Sequence, residues 1–231
     1  MKKILTAVIV SLVLLLGIVA PALAAGKITV TKEAFYVVPY LYQFAGAIYG
    51  EYTNTGDKPV EVSGNVFELF DASGEAIASE RIYSCYPSVL QPGERGFFFE
   101  TSDVQESTSA SDIDDYSITF VGQSTKDEIV KINAEAALME VPHYSGTPAL
   151  RYYVDIENTT DELANGPEVV LAFFDSEGNI LYVAYESAYG ISLYPGSKIQ
   201  MNGDISTSVR NQLSTDGVTI DSVEAIAWYE P

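Results

Sequence analysis

The sequence predicts an all-β protein: a cleaved signal peptide followed by two tandem antiparallel β-sandwich domains of the immunoglobulin-like kind. Three observations predict it. An apolar leader opens the chain, the remainder repeats itself once at a spacing of about 103 residues, and each half alternates apolar with polar residues between turn signals, with no long helical period.

In the leader, Lys2 and Lys3 precede an apolar run from Ile4 to Ala20, broken only by Thr6, Ser11 and Gly17. Pro21 then stops the helix before Ala22-Leu23-Ala24, the small-x-small pattern that a signal peptidase accepts, so cleavage is expected after Ala24. The alternative is an uncleaved anchor, for which a run of 17 residues is short. No Cys follows the run to take a lipid. The expected organisation is therefore 1–24 signal, 25–125 first sandwich and 126–231 second sandwich. The expected destination is secretion or the extracellular cell surface, with no membrane insertion once the signal is removed.

Removing 24 of 231 residues leaves 207, and losing Lys2 and Lys3 takes the formal charge from -20 to -22. A polyanionic surface repels nucleic acid and anionic lipid, so neither is an expected partner; divalent cations and basic partners stay open. The apolar content of 47% is ample for a packed core. A single cysteine rules out a disulfide framework within the chain, and Cys85 lies in the alternating run Ile82-Tyr83-Ser84-Cys85-Tyr86, where a buried inert thiol is expected.

Four anchors carry the repeat, in the same order in both halves. Val38-Pro39 matches Val141-Pro142. The stretch Glu51 to Asp57, with Asn54, matches Asp155 to Asp161, with Asn158. Phe70-Asp71-Ala72-Ser73-Gly74 matches Phe174-Asp175-Ser176-Glu177-Gly178, and Leu90-Gln91-Pro92-Gly93 matches Leu193-Tyr194-Pro195-Gly196. A period this long is a duplicated domain rather than a solenoid unit.

Each half then reads as about seven strands. Ala47 to Tyr52, Val60 to Phe67 and Arg151 to Ile156 alternate at period two. The Asn54 and Asn158 stretches supply side chains that bond their own backbone; Gly74 and Gly178 end tight hairpins. One short helix is expected, with Asp204 capping Ile205 to Leu213, while Ser102 to Asp115 of the first half is loop-like. The last strands are Tyr116 to Val121 and Val223 to Trp228. Only Gly122 to Asp127 joins the halves, which restricts their orientation but leaves a hinge at Gly122.

Phe67-Glu68-Leu69-Phe70-Asp71 followed by Gly74 resembles the signature of bacterial FxLYD-type domains, with Phe where that signature has Tyr. The second copy, Leu171-Ala172-Phe173-Phe174-Asp175 with Gly178, is looser, Leu171 replacing the first Phe. The resemblance spans nearly the whole mature chain. It implies an immunoglobulin-like sandwich used as an accessory module of exported proteins, and no shared catalytic residue.

Chemistry is sparse. The one histidine, His143, has no Gly-x-Ser-x-Gly elbow for a triad and too few companions for zinc, and no Gly-x4-Gly-Lys phosphate loop is present. Thirty-two acidic residues bring some pair within glycosidase distance by accident, so abundance is no evidence for hydrolysis. No cofactor is expected, with calcium as the only weak candidate ligand, at Asp112, Asp114 and Asp115 and at Asp155 with Glu157 and Asp161. Sixteen tyrosines stand out. Tyr36, Tyr40, Tyr42, Tyr185 and Tyr189 form the candidate stacking platform, against the simpler reading that tyrosine favours strands and covers sheet edges. The expected function is that of a non-enzymatic exported module binding a protein or glycan at the bacterial surface. The alternatives are an enzyme using paired carboxylates on an extracellular polymer, and a carrier of calcium or a small ligand.

Overall fold

Wherever turn chemistry brackets an alternating run, the chain forms a strand. A computed structural model describes residues 26–104, 108–142 and 149–231; the predicted signal segment and His143 lie outside them. The first half runs β1 (Ile28–Tyr40), β2 (Gln43–Asn54), β3 (Val60–Val62), β4 (Asn65–Phe70), β5 (Ala76–Ile82), β6 (Ser84–Tyr86), β7 (Val89–Leu90), β8 (Arg95–Asp103), β9 (Asp115–Thr119) and β10 (Gly122–Ser124). The second runs β11 (Val130–Val141), β12 (Ala149–Glu157), β13 (Ala164–Asn165), β14 (Glu168–Phe174), β15 (Ile180–Ser187), β16 (Ser192–Leu193), β17 (Lys198–Asp204), α1 (Thr207–Asp216) and β18 (Ser222–Tyr229). Among the described residues the chain is all-β apart from α1 and a single 3-10 turn, and the ladders are antiparallel.

The duplication is visible in the ladders. The pairs β1–β2, β2–β8, β3–β7, β4–β5 and β4–β9 recur as β11–β12, β12–β17, β13–β16, β14–β15 and β14–β18. In the first half the sheet β1-β2-β8-β6 faces the sheet β5-β4-β9. In the second, one six-stranded sheet, β15-β14-β18-β11-β12-β17, curls on itself. There β11 pairs with β18 over Val130–Ile132 and with β12 from Asn133 onward, so one strand serves both walls.

Two of the sequence anchors prove to be one device. Asn54 is fully buried, and its amide donates to the carbonyls of Lys58 (2.8 Å) and Leu90 (3.0 Å) while its Oδ1 accepts from Gly56 N–H (3.0 Å). Asn158 repeats this with Glu162 (2.7 Å), Leu193 (2.8 Å) and Thr160 N–H (3.0 Å). The Pro-Gly turn answers with its backbone: Gly93 N–H donates to the Asn54 carbonyl and Gly196 N–H to that of Asn158, both at 2.8 Å. Each asparagine therefore pins one strand end to a turn some 36 residues later. The Asp anchors are local: Asp71 Oδ1 accepts from the N–H groups of Ser73 and Glu75, and Asp175 Oδ1 from those of Glu177 and Asn179, with Gly74 and Gly178 both at φ 81°, where only glycine is unstrained.

Three apolar layers stack in register. Ile48, Tyr52, Phe67, Leu69, Ile82, Leu90 and Phe98 fill the first half, and Tyr152, Val154, Ile156, Val169, Leu171 and Phe173 fill the second. Between them a third cluster joins Val38, Ala45, Ala47, Tyr49 and Phe97 of the first half to Val170, Ala172, Phe174, Leu181, Val183, Leu213 and Trp228 of the second. Strands β2 and β14 are therefore buried on both faces. Lys32 Nζ donates to the Gly178 carbonyl (2.9 Å) and lies over the Phe174 ring, Lys131 pairs with Glu94 (2.7 Å), and Arg95 bridges Glu51 and Glu224.

The structure corrects two expectations. Asp204 does not cap the helix; it ends β17 and binds Arg151 through both oxygens, and Ser206 stands at the N-cap. Helix α1 stops at Gly217 in the left-handed region, where Val218 N–H reaches back to the Leu213 carbonyl. Gly122 is no hinge, because Gly122–Ser124 is zipped onto β3, and a Cβ there would meet Ile28 and the Gly26 backbone. Cys85 is buried, its thiol pushed up to about 12 by desolvation, and it accepts from the Asn65 amide at 3.2 Å.

Candidate functional site

Strand alternation sends Tyr36 of β1 and Tyr185 of β15 to the face that the opposite half covers. The Tyr36 hydroxyl donates to the Leu181 carbonyl (3.0 Å), and burial, with the Asp216 and Asp175 carboxylates behind it, pushes its pKa up to about 12. Tyr185 stacks on Tyr86 with centroids 4.0 Å apart, and Tyr86 in turn lies against Trp228 at 6.3 Å. Both rings hold the halves together. The structure therefore does not assemble the five-tyrosine platform: two members belong to the joint, Tyr40 and Tyr42 share the β1–β2 tip, and Tyr189 stands on the β15–β16 loop.

Tyr40 and Tyr42 flank the turn between β1 and β2. Tyr40, Leu41 and Tyr42 are 44%, 84% and 102% exposed, and neither tyrosine has a ring partner among the described residues. Two-residue hairpin turns favour Asn-Gly, because their backbone needs positive φ. Here Leu41 sits at φ 54°, a conformation that costs a non-glycine residue about 1 kcal/mol or more. The tip thus combines backbone strain with three exposed apolar side chains. Beside it, Gln43 donates to Asp103 at 3.0 Å.

Tyr189, 93% exposed, overhangs an open cleft of about 410 Å³ lined also by Asn165, Gly166, Glu168, Ile191, Ser192 and Glu230. The cleft floor is fixed by Gly166 N–H donating to the Ile191 carbonyl (2.7 Å) and by Ser192 Oγ donating to Asn165 Oδ1 (2.7 Å). Glu168 is half-buried at its wall, and desolvation raises its pKa despite the hydroxyl of Tyr185. Nearby Tyr194 is also exposed.

Several of the weak calcium candidates already have protein partners. Asp112 is consumed as the acid of a capping box, accepting from Thr108 and Ser109 N–H at 2.8 and 2.9 Å, and Asp115 accepts from Tyr116 N–H. Asp155 accepts from Gln200, and Glu157 pairs with Lys198. With Asp114 included, no group of three or more acidic, His or Cys side chains converges for a metal among the described residues. No helix among those residues is long and apolar enough to cross a membrane.

Leu41, Asn165, Glu168 and Ile191 escaped the sequence reading. A Leu-Tyr pair in a two-residue turn was the available signal for the first. The others come together only through the β13–β16 pairing, which no local pattern announces.

No protein-family model matches the chain, and no curated protein does. The solved structures similar to it include two that cover most of its length. Red sea bream transglutaminase superposes at 9% identity and a TM-score of 0.23, over 77% of this chain and 27% of that one. The N-terminal CBM22-1-CBM22-2 tandem domain of Paenibacillus barcinonensis Xyn10C superposes at 12% identity and a TM-score of 0.15, over 92% of each chain. Both superpositions are too loose to bear on fold or function.

Proposed function

We propose that this chain is a non-enzymatic exported module: two FxLYD-type, immunoglobulin-like sandwiches fused back to face into one body, which offers aromatic loops to a protein or glycan outside the cell. The carrying observation is the Tyr40-Leu41-Tyr42 tip, where backbone strain coincides with exposed apolar side chains. Mutual burial of the two halves makes the loops rigid with respect to one another, which lowers the entropy cost of binding.

Hydrolysis by paired carboxylates is less well supported. The half-buried glutamates with raised pKa values are Glu100 and Glu168, and both are already engaged: Glu100 accepts from the N–H groups of Tyr83 and Thr101, Glu168 from Tyr185. The cleft that Glu168 lines holds a second carboxylate, Glu230, but not Glu100, and the Glu168 carboxyl there is already bound by Tyr185.

The test is the thermal midpoint of residues 25–231 with calcium, cell-wall fragments and a panel of polysaccharides. A ligand at 100 times its Kd stabilises the folded form by about 2.7 kcal/mol. A shift with wall fragments or a polysaccharide is expected, lost in a variant carrying Leu41→Asn, Tyr42→Ser and Tyr189→Ser that keeps the unliganded midpoint. Turnover of any of these polymers would overturn the reading.

A further inference from the structure

We infer that the Tyr189 cleft is a subsite for one uncharged sugar ring of a polysaccharide; this rests on the binding role proposed above and names its ligand. The cleft's volume of about 410 Å³ lies within the range of small-ligand pockets. Its lining is unusual in composition. One ring, Tyr189, and one aliphatic side chain, Ile191, stand over a floor of hydrogen-bonding groups: Asn165, Ser192, Glu168 and Glu230. A pyranose has the matching two-sided chemistry, a C–H face for the tyrosine ring and a rim of hydroxyls for amide, hydroxyl and carboxylate partners.

A peptide fits this cleft less well. It needs either an apolar hole for an anchoring side chain or a sheet edge for its backbone. Ile191 is the only aliphatic side chain in the lining, and β13 is two residues long.

The site is also built rather than incidental. The Ser192–Asn165 bond fixes the amide plane and leaves the Asn165 NH2 without a partner among the described residues, ready to donate. Glu168 is held by Tyr185, which is itself locked by stacking on Tyr86 across the joint between the halves. The corresponding edge of the first half, where β3 pairs with β7, lines a cleft of different chemistry, about 470 Å³ with Glu61, Ser88, Val89 and Lys126 among its lining and no aromatic ring. Two carboxylates and no basic side chain in the lining of the Tyr189 cleft set the charge preference: an uncharged ring is accepted and a uronate is repelled.

Affinity electrophoresis of residues 25–231 in gels containing dextran, mannan or a mixed-linkage β-glucan, with polygalacturonate and poly-lysine alongside, tests this. Retardation by at least one neutral polymer is expected, with none by polygalacturonate. Tyr189→Ala should weaken it at least tenfold and Asn165→Ala several-fold, while Tyr189→Phe retains it and Tyr83→Ala, at an exposed tyrosine of the first half, leaves it unchanged. Tyr189 is almost wholly exposed, so its removal leaves the fold intact. Retardation that survives Tyr189→Ala, retardation by poly-lysine alone, or no retardation by any neutral polymer would overturn the subsite. Loss of wall-fragment binding in a Tyr40→Ala, Tyr42→Ala variant, with no neutral-polymer retardation, would leave the binding role standing and remove only the sugar.

Discussion

At the scale of single residues, Asn54 and Asn158 do most to hold each half in shape. Each buried amide donates to two carbonyls and accepts one N–H, tying its strand end to two separate stretches of chain. Asn54→Ala and Asn158→Ala are each expected to cost roughly 1–3 kcal/mol, since one buried and one part-buried carbonyl lose their donor, and Asp is no substitute because a carboxylate cannot donate. Urea denaturation of the variants measures this. The two asparagines and the two Leu-x-Pro-Gly turns were legible as repeat anchors. Their union was not, because turn chemistry reads over a few residues and these partners are some 36 apart. A second residue-scale expectation concerns pH. The Tyr36 phenol has its pKa raised from 10.0 to about 12 in the folded state, so the stability linked to it is complete below pH 10 and is lost as pH rises toward 12. Tyr36→Phe should flatten that alkaline loss in a pH series of melts, and its missing bond to Leu181 should cost about 1 kcal/mol at neutral pH.

At the scale of elements, β2 and β14 explain both what was readable and what misled. Alternation locates the two faces of a strand without saying what lies beyond the second one. The inner positions, Phe67 and Leu69 or Leu171 and Phe173, were recognisable as core. The outer ones were not, so Tyr36 and Tyr185 read as a free platform although both rings are engaged in the joint. The repeat itself holds the missing signal. Ala172 of β14 occupies the place of Glu68 in β4, and Ala47 of β2 the place of Arg151 in β12: each half keeps its charge on the face turned to water and gives it up on the face turned to its neighbour. Ala172→Glu therefore puts an unpaired carboxylate into the central layer. Scattering should then show the two halves apart and the chain's radius of gyration increased, while far-ultraviolet dichroism stays that of β-sheet.

For the whole molecule, a central layer this apolar makes the halves unfold together. Calorimetry of residues 25–231 is expected to show one transition whose van't Hoff and calorimetric enthalpies agree; two resolved transitions would mean that the joint contributes little. Strand content, the repeat and its turns were thus readable, whereas the joint was not, because its partners come from opposite halves of the chain. The halves stack head to tail rather than about a dyad: the outer face of β1-β2-β8 meets the outer face of β14-β15-β18, and the corresponding faces left at the two ends carry Glu68 and Ser117, or Arg151, Asp155, Gln200 and Asp204. A head-to-tail contact has no intrinsic stop, and only this lettering of the end faces limits the stack to two. The order of the copies is for that reason not interchangeable. A transposed gene, second copy first, would join polar to polar and leave one apolar face at each end, turning a self-terminating pair into a monomer with two sticky ends that polymerises.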